Sequence, residues 1–141
     1  MDLQRHKDTI RRVREDALST GRLELLDGLY AEGYRYHGGE TFGELEGRDA
    51  FALVAGGFRQ VIEGMTERVV DQVAEGDRVA TRLAGSGRAV GEVLGVPGNG
   101  REVTWTGMVL SRFDAEGRIA EEWVEADALA LVRQLGDGGA T

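Results

Sequence analysis

The segment IAEEWVEADALALVRQLG, Ile119 to Gly136, gathers Glu121, Glu122, Glu125 and Asp127 around Trp123 and then turns helical in pattern. A carboxylate with its ordinary pKa of about 3.9 is a poor proton carrier at neutral pH. It becomes a useful one where an apolar surround or a like charge disfavours ionisation. On an extended strand Glu121, Trp123, Glu125 and Asp127 share one side. If that side faces a hollow, Trp123 supplies an apolar wall and a glutamate, Glu121 or Glu125, a like charge. Asp127 would then take a proton from an activated carbon and return it to an oxygen. The same aspartate directly precedes ALALVRQL, where a helix N-cap is also expected.

The other proton-handling candidates are few. The chain has two histidines and no cysteine, which excludes thiolate nucleophiles, disulfides and zinc–thiolate sites. His37, between Tyr36 and two glycines, is suited to polarising a carbonyl or shuttling a proton, or to a simple loop hydrogen bond. His6 sits on a charged helix and is expected to face solvent, as are the arginine and glutamate runs. Trp105, Trp123, Tyr34, Tyr36, Phe58 and Met108 are candidate walls for a flat ligand, each of them equally a candidate for core packing. Arg82, among apolar neighbours, is a candidate pocket cation or an ion-pair partner of Asp71. The acids of EEWVEAD lie along one strand, so no metal site is expected. The glycine-rich GSGRAVG and GVPGNG lack the phosphate-loop pattern, and no cofactor is expected from them.

These residues need elements to position them. Leu3, Ile10, Val13 and Ala17 recur at helical spacing, and Ser19–Gly21 ends that helix. Leu23, Leu26, Leu29 and Tyr30 predict a second, shorter helix, and GYRYHGG a short strand. Phe51, Val54, Phe58, Val61 and Ile62 share the face of a third helix that closes at Glu63–Met65. From Thr66 the period becomes two. TERVVDQVAEGDRVATRLAGSG reads as a hairpin with an AEGD turn, and GREVTWTGMVLSRFDAEGRIAEEWVEAD as another with a DAEGR turn. VGEVLGVPGNG between them is a loop at a sheet edge or pocket mouth. Helices first and antiparallel strands after them indicate an α+β domain, a curved antiparallel sheet wrapped over three N-terminal helices. Residues 1–136 form one domain, with a frayed tail at 137–141.

Composition bounds the partners. At 141 residues with 41% hydrophobic and 30% charged side chains, the chain is long enough for one domain with a core and a pocket. A formal charge of −8 argues against nucleic acid and anionic membranes as partners. No stretch of about 18 apolar residues is present, and a cytoplasmic protein is expected. Apolar residues on both faces of a broad sheet suggest a homodimer through it.

The ordered set YRYHGG, VAEGDRVATRL, GEVLGVPGNGREVTWTGM, RFDAEGRIAEEW and DALALVRQLG resembles the SnoaL-like polyketide cyclases. That family shares the nuclear transport factor 2 and ketosteroid isomerase fold, a cone-shaped sheet over helices. The resemblance spans nearly the whole chain. It implies a cofactor-independent enzyme that closes a ring of a hydrophobic polyketide by intramolecular aldol condensation, with Asp127 as general acid/base and His37 on the first strand. Epoxide hydrolysis is the near alternative, drawing on Arg82 or Arg112 with Asp71 or Asp127. Isomerases, dehydratases and ligand-binding modules of the same fold remain open.

Overall fold

The computed structural model describes residues 2–140, with side chains through Gly136; the expected frayed tail, 137–141, lies outside those described side chains. Helix α1, Leu3–Arg11, is capped by Asp2, whose carboxylate accepts from the Arg5 N–H at 3.0 Å. It continues without a break into a wider π-wound segment, Arg12–Leu18. Ile10, Val13 and Ala17 are buried, as the stripe predicts. His6 and Arg14 are buried with them, against expectation. The spacing explains this: each lies four residues from Ile10 and therefore on the same face.

A 3-10 turn, Leu23–Leu25, and helix α2, Leu26–Leu29, lead into strand β1, Tyr30–His37. Helix α3, Gly39–Phe42, and strand β2, Glu44–Glu46, follow as short elements that the aromatic strand pattern did not reveal. Helix α4, Arg48–Val61, ends earlier than its apolar face suggests, because Ile62 already adopts extended geometry and opens strand β3, Ile62–Glu75. Strand β4, Arg78–Ala89, completes the first predicted hairpin. The Gly-Pro loop folds into a miniature hairpin of β5, Glu92–Val93, and β6, Val96–Pro97. The second predicted hairpin is β7, Arg101–Phe113, with β8, Ile119–Ala126, and helix α5, Ala128–Ala140, follows.

Six strands form one curved sheet in the order β2-β1-β8-β7-β4-β3, packed against the helices, an α+β arrangement. Every pairing is antiparallel except one: β1 lies parallel to β8, with Tyr30 opposite Ile119 and His37 opposite Trp123. No helix among the described residues is long and apolar enough to cross a membrane.

Side-chain alternation separates two faces of this sheet. On β7, Val103, Val109, Ser111 and Phe113 are buried toward the helices, while Met108 between them is 49% exposed. On β4 the exposed residues Arg78, Arg82 and Arg88 alternate with buried Val79, Leu83 and Ala89. On β8 the inward set is Glu122, Val124 and Ala126, so Glu121, Trp123 and Glu125 point away from the core.

Candidate active site

The helical side of the sheet encloses a cavity of about 190 Å³. Tyr36, Phe58, Trp105, Met65 and Leu131 supply apolar wall, and Val93 and Leu94 of the β5–β6 hairpin border it. Phe58 meets the Trp105 ring edge-on, with centroids 5.7 Å apart and planes at 85°. The indole lies directly over Gly85 of the neighbouring strand, leaving no room for a side chain there.

Three polar residues border this apolar space: Asp127, Arg14 and Glu67. Asp127 sits at the exposed rim. Its Oδ1 accepts from the Ala130 N–H at 3.0 Å, which caps α5, and its own N–H donates to the Thr106 carbonyl at 3.1 Å. Capping and cavity placement are therefore combined in one residue. The sheltered setting expected for this carboxylate is not what the structure shows, because β8 ends at Ala126 and the side chain emerges at a helix start instead of on the strand's outward row.

Arg14 and Glu67 form the buried side of the cavity. Nη1 of Arg14 donates to Glu67 Oε1 at 3.2 Å, and the Trp105 indole N–H donates to Glu67 Oε2 at 3.0 Å. Ser19 Oγ accepts from the Glu67 backbone N–H at 2.7 Å and lies 2.8 Å from the Arg14 carbonyl oxygen, tying helix to strand. Burial works against the Arg14 charge, but Glu67, and after it Tyr30, Glu122 and Tyr34, together hold the guanidinium above its usual range. Deeper still, Glu122 is 1% exposed and accepts from the hydroxyls of Tyr30, Tyr34 and Ser111, at 3.0, 2.8 and 2.5 Å. Burial, and then the adjacent Glu122, push both tyrosine hydroxyls well above their ordinary range, so they remain donors.

The residues singled out from the sequence divide between the two faces. Asp127, Tyr36, Phe58 and Trp105 border the cavity, and Tyr34 lies in the core as a donor to Glu122. His37, Glu121, Trp123, Met108 and Arg82 belong to the outer face and do not border it. For these five the expected pocket position is corrected, and strand parity is the reason: from Glu121 onward the odd residues of β8 project outward, as do the even residues of β4 and β7 and His37 of β1 beside Trp123. His37 is gripped there by two carboxylates, with Nδ1 2.7 Å from Glu44 Oε1 and Nε2 2.6 Å from Glu121 Oε2. Its ring stacks on Trp123 at 5.3 Å, and Arg112 reaches the other Glu121 oxygen at 3.3 Å. Hydrogen bonds to Glu44 and Glu121 raise the His37 pKa, and through them the ring bridges β2, β1 and β8. Arg82 stands opposite Asp71 in the β3–β4 register and is exposed.

Arg14, Glu67 and Glu122 are the site residues that sequence reasoning missed. Arg14 left a trace, a charged residue on an apolar helical stripe. Glu122 sits one step out of register with the acids that seemed to matter. Among the described residues no group of histidines and acids is arranged to hold a metal ion.

The family profile described as SnoaL-like polyketide cyclase matches residues 8–135. IdmH from Streptomyces antibioticus, described as a candidate polyketide cyclase, is 32% identical, with 93% of this chain and 98% of that chain covered and a TM-score of 0.80. TsrD from Streptomyces laurentii is 27% identical over 94% and 93%, with a TM-score of 0.80. A candidate SnoaL-like polyketide cyclase from Jannaschia sp. CCS1 shares the fold, with a TM-score of 0.83 at 20% identity over 94% and 92%. No curated protein sequence matches this chain.

Proposed function

This chain belongs to the SnoaL-like polyketide cyclase family, and from that premise we propose that it is a cofactor-independent acid/base enzyme closing a ring in a hydrophobic, polyketide-like molecule by intramolecular aldol condensation. One observation carries the reading: an aromatic-walled cavity with the Asp127 carboxylate fixed at its rim. The helix N-terminus orients that carboxylate through Oδ1, and Oδ2 makes no hydrogen bond among the described residues. A substrate carbon acid pressed against Trp105 and Phe58 presents its proton to Oδ2. The proton moves to the carboxylate, the C–H pair becomes an enolate, and the enolate carbon attacks a second carbonyl of the same chain. The alkoxide so formed takes the proton back, and the product is a cyclic β-hydroxy ketone. The walls hold the two reacting carbons near one another, which lowers the entropic part of the barrier.

Of the residues that the hydrolytic alternative draws on, only Asp127 borders the cavity. Arg82, Arg112 and Asp71 lie along the outer face of the sheet and do not border the cavity. The same outer face is where we propose that two copies pair. Met108 and Trp123 lie at its middle, acids Glu121 and Glu125 on β8, and Arg78 and Arg82 on β4, so a two-fold axis along β7 matches opposite charges. A monomer mass by light scattering would refute that pairing.

The function itself is tested with an aryl β-ketoester carrying a second carbonyl within ring-closing reach. Ring closure lost in Asp127→Asn, with ligand binding kept, supports the reading; undiminished closure in that variant removes it.

A further inference from the structure

We propose that Arg14 is the group that receives the substrate's reacting oxygen, so that the cavity is selective for molecules whose carbonyl becomes, or already is, an enolate. The inference rests on the cavity being the substrate site, and it gives the polarising role, expected at His37, to a residue on the correct face of the sheet.

Four observations converge on Arg14. Its side chain is 9% exposed and borders the cavity. Its hydrogen bond to Glu67 uses one of the five N–H donors that a guanidinium carries, and no other side-chain bond from it is found among the described residues. The backbone there is π-wound, with the Ser19 N–H bonded to the Arg14 carbonyl, a distortion that frequently marks a functional position. Finally, Ser19 and Glu67 fix the residue from two directions, so little reorganisation is needed when charge develops on a nearby oxygen.

The neighbouring carboxylates offset this field only in part. Glu67 is shared with the Trp105 indole N–H, and Glu122 is solvated by the hydroxyls of Tyr30, Tyr34 and Ser111. Each acid therefore has donors of its own. A neutral carbonyl accepting from Arg14 gains an ordinary hydrogen bond, and the same oxygen as an enolate gains a charge-assisted one. The difference between the two falls on the transition state.

The test is calorimetric and needs no turnover. The full chain is titrated at neutral pH with 2-hydroxy-1,4-naphthoquinone, an acidic enol ionised under those conditions, and with its uncharged 2-methoxy ether. The wild type is expected to prefer the ionised probe by roughly tenfold or more. The double variant Arg14→Met/Glu67→Gln removes both charges without stranding either, and it should bind the two probes alike. Arg14→Lys keeps a cation and should keep part of the preference. Equal binding by the wild type, no binding of either probe, or a preference surviving in the double variant overturns the inference. If the double variant fails to fold, Glu67→Gln alone decides: a stronger preference supports the inference, and an unchanged one overturns it. Failure of the acid/base reading is separately visible, as ring closure retained in Asp127→Asn.

Discussion

His6 lies flat against Phe113, the ring centroids 4.1 Å apart and the planes 7° from parallel. The imidazole is 4% exposed, and its buried Nδ1 has no hydrogen-bond partner among the described residues. Burial lowers its pKa from 6.5, with Asp2 and Asp77 opposing the shift and Arg5 reinforcing it. The folded chain thus takes up this proton less readily than the unfolded chain. Stability from this source is present above the ordinary histidine pKa and is lost as pH falls below it toward the folded value. Melting curves should show Tm dropping on acidification into that window, and the drop should shrink in His6→Phe. An identical pH profile in the variant would rule this out.

His37 works in the opposite direction. Its folded pKa is raised, so the stabilisation is fully present below 6.5 and fades as pH climbs through the folded value. His37→Gln should flatten that alkaline part of the profile. Because the ring is on the outer face, ring closure should be unchanged in this variant. A fall in turnover with the fold intact would return His37 to the chemistry.

Asp127 combines capping with proton transfer, and two substitutions separate the roles. Asp127→Asn keeps an N-cap acceptor and should leave stability nearly untouched, while Asp127→Ala should cost about 1 kcal/mol. Both should lose ring closure. Urea melts beside rate measurements read the two effects independently.

Gly85→Ala places a methyl group inside the Trp105 indole. The indole must swing away from its bond to Glu67 or the strands must part, at a cost of about 1–3 kcal/mol. Weakened substrate binding should accompany the lost stability, seen as a raised KM and a lowered Tm. A variant as stable as wild type with unchanged KM would show that the Trp105 wall is less fixed than the structure has it.

Tyr34→Phe removes one of three hydroxyl donors from the buried Glu122 carboxylate. The expected cost is about 1–3 kcal/mol, readable as a shift in the urea midpoint. Double substitution with Ser111→Ala should be worse than additive, since both hydroxyls serve one carboxylate.

Much of this architecture was legible in the residues. Ile10, Val13 and Ala17 announced the first helix, and AEGD and DAEGR announced both long hairpins, because turn chemistry and period-two alternation are local signals. The site was harder to read. Asp127 does stand at a helix start, but the β8 row of Glu121 and Trp123 faces away from the hollow, and His37, which the family resemblance singles out, lies beside that row. Both sides of β8 hold an aromatic or aliphatic residue among acids, so alternation identifies two faces without saying which meets the helices. His6 and Arg14 were passed over as solvated charges although their spacing from Ile10 placed them inward. Polar residues on an apolar stripe are costly unless partnered, and such positions are worth reading as sites in their own right.

The single parallel pairing, β1 beside β8, joins segments with most of the domain between them. While the polypeptide emerges from the ribosome, β1 and β2 can pair with each other but with no further strand of their sheet until β8 has been made. The edge of the sheet they build is therefore among the last to assemble, and during synthesis it is an open seam that another nascent chain could occupy.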